Sequence, residues 1–181
     1  MTNHFTAILI SQYEAALSTV DRCVGICDEG TWRRSLAELT YAQAAFHALF
    51  FTDLYLHPTH DASFKEQGFH LRHRDAFRDY EELEERRQVH HYEQSFVRAY
   101  VRHCLGKARD LAGATEDWLR EPAPFPWIPT TRSELHLYNI RHLQHHAAQL
   151  ILVLRQNGPV EFPWYKTGWQ PFPAMTEDPR K

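Results

Sequence analysis

Apolar residues recur at three- and four-residue steps along four stretches of this chain. From Phe5 through Ile8, Leu9, Tyr13, Ala16, Leu17, Val20, Val24 and Cys27, the spacing predicts an amphipathic helix ending near Gly30. A second stripe, Leu36, Thr40, Ala44, His47, Phe51 and Leu54, runs to about Leu56, with Ser35 and Glu38 at capping-box spacing in front of it. Phe96, Tyr100, Val101, Cys104, Ala108, Leu111 and Thr115, completed by Trp118 and Leu119, predict a third helix. The fourth opens on another capping-box pair, Thr131 and Glu134, and runs to the stop signals Asn157, Gly158 and Pro159. Four long amphipathic helices predict an all-α fold, a four-helix bundle over about residues 5–157.

The connections are unequal. His57-Pro58 ends the second helix, and Thr59 to Glu93 is rich in charge and aromatics without a sustained stripe. It predicts a long crossover between helices two and three, with short helical turns within Asp75 to Gln88. Its histidines, His57, His60, His70, His73, His90 and His91, are expected to be mostly solvated. Pro122, Pro124, Pro126 and Pro129 predict a stiff extended link before the fourth helix. The C-terminal tail, residues 158–181, carries Phe162, Trp164, Tyr165, Trp169 and Phe172, too much aromatic surface to leave in water. It is expected to wrap back over the bundle or to bury itself in a partner.

A length of 181 residues and 43% hydrophobic content fit a single domain, 1–181. A formal charge of -3 gives no electrostatic reason to expect nucleic acid, and the basic cluster His70-Leu71-Arg72-His73-Arg74 reads as a solvated loop. No apolar run reaches membrane-spanning length and the N-terminus lacks a secretory pattern, so a cytoplasmic protein with no membrane association is expected. Cys23, Cys27 and Cys104, odd in number and inside helical patterns, give no disulfide framework and read as core residues. Neither a serine-nucleophile elbow nor a glycine-rich phosphate loop occurs.

The candidate chemistry lies in histidine. His142 and His146, four residues apart in NIRHLQHHAAQLIL, fall within about 40° of each other on the helix and share a face with Leu135, Asn139, Gln149, Leu150 and Val153. Among 13 histidines roughly one such pair is expected by chance, so the spacing alone decides little. What adds to it is His47, in the middle of the apolar segment LAELTYAQAAFHALFFTDLYL, where solvation offers no easy account of it. A buried imidazole needs a hydrogen-bond partner or a metal, because each unsatisfied ring nitrogen costs about 1–3 kcal/mol. Three facing histidines suit an open metal site for zinc or nickel, with iron or manganese also accommodated, and leave a coordination position for water or a small-molecule substrate. Asn139 and Gln149 on the last helix, with Thr40 and Gln43 on the second, lie one or two turns away and are placed to orient the rings. The competing reading for each histidine is a core residue bonded to a backbone or side-chain acceptor.

The segments AAFHALFF and RHLQHHAAQL resemble the DinB-like (DinB/YfiT) metalloenzyme family, the second segment through an H-x-x-H-H-x-x-Q-L pattern on the last helix. The likeness covers about Phe5 to Gln156. It implies a four-helix bundle with His47, His142 and His146 as the metal ligands, and a frequent tendency to dimerise. Ala147-Ala148 stand where the family usually has a small residue such as glycine after the double histidine. Relatives of that kind include transferases and isomerases that use low-molecular-weight bacterial thiols. The resemblance therefore implies a metal-dependent S-transferase with a thiol cosubstrate, or a hydrolase. The alternative from another class is a non-enzymatic metal-binding stress-response or interaction protein whose ion is structural and whose tail docks a partner.

Overall fold

Asn3 opens the first helix by accepting the Phe5 amide on its side chain at 2.7 Å, and α1 (His4–Gly25) follows. The computed structural model, which describes residues 3–36, 38–83 and 88–173, is mostly helical. Leu9, Tyr13, Leu17, Val20 and Val24 form the buried stripe of α1, as their spacing predicts. The helix stops at Gly25 rather than near Gly30, because Asp28 caps a separate short helix, α2 (Glu29–Trp32), by accepting the Thr31 amide at 2.9 Å.

The second long helix also starts later than its first capping signature predicts. Ser35–Leu36 (β1) pairs antiparallel with Leu39–Thr40 (β2), so the Ser35 and Glu38 spacing belongs to a small hairpin. The working capping box is Thr40 with Gln43: Thr40 accepts the Gln43 amide at 3.2 Å while the Thr40 amide donates to Gln43 Oε1 at 2.8 Å. From there α3 (Tyr41–Leu56) is buried on nearly every side, and Leu36 and Thr40 lie outside it.

After α3 the crossover contains a 3-10 turn at Ala62–Phe64, the short α4 (Gly68–Arg72) and a second 3-10 turn at Arg78–Leu83. It is anchored by aromatic burial: Phe64, Phe69, Phe77 and Tyr92 all reach the core, and Tyr92 stacks on Phe46 with ring centroids 3.9 Å apart. His70 departs from the expected solvation. It is buried, stacked on Phe77 and bonded to Asp53, because its neighbour in sequence Phe69 draws α4 inward. The third long helix, α5 (Gln94–Asp110), ends before Leu111, and Trp118 and Leu119 lie on a separate helix, α6 (Glu116–Arg120), capped by Thr115. Past a bridge between Pro122 and Thr131, α7 (Arg132–Gln156) starts on the predicted cap, Thr131 accepting the Glu134 amide at 3.3 Å.

Helices α1 and α3 each pack against both α5 and α7. Tyr13, Leu17, Tyr41, Phe50, Tyr100, Leu143 and Leu150 fill the space between them. The three cysteines are buried and free. Beyond α7 the chain follows α1: Lys166 O accepts from Gln12, the Gly168 amide donates to Ser11 O at 3.0 Å, and the Gln170 amide to Ser18 Oγ at 2.8 Å. The Phe172 amide donates to Asp21 Oδ2 at 3.0 Å, and Trp164 stays 80% exposed. Among the described residues no helix is long and apolar enough to cross a membrane.

Candidate metal centre

The packing of α3 on α7 decides what His47 meets. His47 lies midway along α3, and α7 presents His142 and His146 one turn apart across the same seam. The ring centroids of His47 are 5.6 Å from His142 and 4.8 Å from His146, and one ligand nitrogen from each ring lies within 4.8 Å of the other two. All three side chains are half-buried.

On α7 the two rings approach through Nε2, with 3.2 Å between these atoms. Two imidazoles sharing one tetrahedral zinc at 2.0–2.1 Å have nitrogens about 3.3 Å apart, so this pair already has the required bite. The outward nitrogens are held from behind. Gln149 Oε1 accepts from His146 Nδ1 at 2.9 Å, which leaves His146 Nε2 as the lone-pair atom. Glu82 Oε2 accepts from His47 Nδ1 at 2.6 Å, with the same consequence for His47 Nε2. His142 Nδ1 is buried and has no hydrogen-bond partner among the described residues. Phe51 packs on two of the rings, at 4.9 Å from His47 and 5.7 Å from His142, and Tyr138 stacks on His142. These aromatic walls restrict ring rotation and leave the cluster one apolar flank.

Burial favours uncharged imidazole at His142 and His146. It pushes His142 down to about 3, assisted by the neighbouring His146, His47 and His145 rings. Burial and the His47 ring push His146 down to about 4 against the opposing Gln149 bond. Both are therefore neutral at pH 7, the form that ligates a metal.

The other residues singled out in the sequence have separate partners. Thr40 caps α3, and Gln43 completes that cap while donating to Gln88 O at 3.3 Å and His90 O at 2.9 Å. Asn139 donates to Thr52 O at 3.1 Å in the core. Gln149 alone of the four touches a histidine of the cluster, and it also donates to His145 Nε2 at 3.1 Å.

A second cluster was not anticipated from the sequence. Asp53 on α3 is fully buried; its Oδ2 accepts from His70 Nε2 at 2.8 Å and from the Tyr100 hydroxyl at 2.9 Å. Its Oδ1 accepts from Lys107 Nζ and lies 3.3 Å from His103 Nε2. Burial works to raise the Asp53 pKa, but the His103 and His70 imidazoles and the Lys107 charge outweigh it and hold the carboxyl well below the usual range. Asp53, His70 and His103 have a donor set that could hold an ion. The Lys107 ammonium already supplies the positive charge there, so the group reads as a buried ion pair, in which His103 Nε2 stands 3.3 Å from Oδ1 without a hydrogen bond of its own among the described residues. The signal in the sequence was a lone aspartate inside an otherwise apolar run, FFTDLYL. Glu82 carried no comparable signal within DYEELEERR.

Compared with models of protein families, with curated proteins and with solved structures, the chain matches none of them.

Proposed function

We propose that this chain is a metal-dependent enzyme built as a four-helix bundle of the DinB-like kind, with His47, His142 and His146 holding a divalent ion, zinc or nickel before iron or manganese. The observation that carries the reading is the convergence of three imidazole nitrogens within 4.8 Å, two of them already at the bite distance of a shared ion. A three-nitrogen donor set fits a catalytic rather than a closed structural site, because it leaves a coordination position for water or substrate. When bound, the ion would lower the pKa of a water or thiol at that position and supply a nucleophile near pH 7.

The chain's own residues account for the rest. Gln149 accepts from the outward nitrogen of His146, so the inward lone pair of that ring is oriented before any ligand arrives. Phe51 and Tyr138 flank the rings and suit a small molecule with an apolar portion beside its reacting group. A low-molecular-weight thiol added to an electrophile is the reaction class we favour, with hydrolysis second.

The test is elemental analysis of protein purified without a histidine tag, beside His47→Ala and His142→Ala variants. About one ion per chain, lost in both variants, is the expected result. Metal-loaded protein should then accelerate thiol addition to an electrophile over the metal-free form. No ion after reconstitution with zinc, nickel or manganese would overturn the reading. A tightly held ion with equal rates in its presence and absence would leave the non-enzymatic metal-binding alternative.

A further inference from the structure

The crossover between α3 and α5 contributes a carboxylate to the histidine cluster, and that contact gives the crossover a task. The Glu82 side chain is 2% exposed, while His47, which it meets, is 24% exposed. A buried carboxylate needs partners. Those of Glu82 are His47 Nδ1 at 2.6 Å and the Gln88 side-chain amide. We propose that Glu82 is the positioning residue of the metal centre: by accepting from Nδ1 it fixes the His47 tautomer and aims Nε2 inward, where the ion binds. This rests on the three-histidine reading above.

The turn that carries Glu82 is held on both sides. Before it, the Tyr80 hydroxyl donates to Lys65 O at 3.3 Å and lies 3.2 Å from His70 Nδ1. Tyr80 has a left-handed backbone at φ 48, alone among the described non-glycine residues. Such a conformation persists only where the surroundings impose it. After it, Gln43 on the first turn of α3 grips Gln88 O and His90 O, one helical turn from His47 itself. The same helix therefore supplies the ligand and anchors the loop that orients it. This arrangement explains why a polar Gln43, 4% exposed, stands at the start of so apolar a helix.

Charge gives the second argument. Neutral imidazoles leave the full double charge of the ion uncompensated in a half-buried site. Glu82 touches one of the ligands directly and is placed to offset that charge through the His47 ring, as carboxylate–histidine–metal arrangements do. Glu82 is not itself among the converging ligand atoms, so its part is to orient and polarise His47 rather than to bind the ion.

The experiment measures zinc affinity of the full, tag-free chain by competition with a chromophoric chelator, for the parent, Glu82→Ala and Glu82→Gln. Histidine-selective ¹⁵N NMR on the same samples reads the tautomer of His47. Glu82→Ala should weaken zinc about 10–100-fold and lose the downfield, slowly exchanging Nδ1 proton of His47. Glu82→Gln keeps the acceptor but not the charge, so it should retain the Nδ1–H tautomer and still bind zinc more weakly. It also carries the test if the alanine variant fails to fold. Zinc affinity unchanged in a folded variant would overturn the proposal and leave Glu82 as a crossover anchor. Failure of the parent itself to bind zinc would sink the three-histidine reading instead. The metal-free spectra separate the two failures: a fixed His47 tautomer in the parent and a mixture in Glu82→Ala shows that Glu82 sets the tautomer even where no ion binds, and the same mixture in both overturns the proposal.

Discussion

His142 Nε2 and His146 Nε2 face each other at 3.2 Å, and only one of them can carry the proton between them. Because Gln149 takes the Nδ1 proton of His146, the shared proton belongs to His142, whose own Nδ1 is then a buried bare acceptor. An ion at this point removes the need for that proton and uses both lone pairs. The two rings should thus act as one unit. His142→Ala and His146→Ala are each expected to weaken zinc by more than the 10–100-fold or so typical of losing an outer partner. The double variant should be little worse than either single one. Isothermal titration across the four proteins checks this; additive losses would mean that the two rings bind the ion independently rather than as a unit, and unchanged affinity in either single variant would mean that they do not share an ion.

Asp53 gives a prediction about stability and one about stoichiometry. Its carboxylate satisfies Lys107, His70 and Tyr100 together, so removing one partner leaves an uncompensated buried charge. Asp53→Ala and Lys107→Ala should each cost about 3–5 kcal/mol in urea unfolding. Since Lys107 occupies the acid, this cluster should not take up an ion on its own. His142→Ala protein reconstituted with excess zinc should therefore contain essentially none after gel filtration. Retention of a full equivalent would place an ion at Asp53, His70 and His103.

Some of this arrangement could be read before the structure and some could not. The stripe of α1 and the Thr131 cap of α7 are local signals, and they hold within a few residues. The start of α3 shows the limit of such signals. Two boxes, Ser35 with Glu38 and Thr40 with Gln43, satisfy the same pattern, and the choice falls to the one directly against the buried run. His47, His142 and His146 were visible because a histidine on an apolar face is conspicuous. Glu82 was not, since a glutamate in a charged crossover looks solvated until Gln43 and Tyr80 are seen to fold that crossover back. His70 departs from its expected solvation for the same reason. Burial in an irregular segment depends on neighbours distant in sequence, here Asp53 and Phe77.

Gly25 and Phe172 make the seam between α1 and the C-terminal segment testable. A Cβ at Gly25 would lie 2.2 Å from Phe172 Cδ1, so even alanine forces the ring away. Phe172 is otherwise fixed by its amide bond to Asp21 and by the Arg98 guanidinium, which donates to Phe172 O at 2.9 Å. Gly25→Ala should destabilise by about 1–3 kcal/mol, the usual cost of overpacking. Phe172→Ala should suppress most of that loss when combined with it. Thermal unfolding of the four proteins, with limited proteolysis of residues 160–173, tests the cycle. An additive double variant would mean that the ring does not rest on Gly25.

His136 should impose an acid limit on stability. It is 2% exposed, and its Nδ1 lies 3.2 Å from the Tyr13 hydroxyl, whereas Nε2 has no partner among the described residues. Burial, assisted by the Arg132 charge, pushes its pKa from 6.5 down to about 4. In the unfolded chain the ring takes a proton near pH 6.5, while the folded chain refuses it until about pH 4. Within that window the unfolded state binds more protons, so stability falls as pH falls and is flat above it as far as this residue is concerned. The full difference is on the order of 3 kcal/mol, reached near pH 4. His136→Gln removes the titration but keeps a polar side chain for Tyr13. It should be less stable than the parent at pH 7.5, and the gap should close or reverse by pH 5. Urea midpoints at pH 7.5, 6 and 5 measure this, and a gap constant across the three would show that His136 is protonated as readily in the folded chain as in the unfolded one.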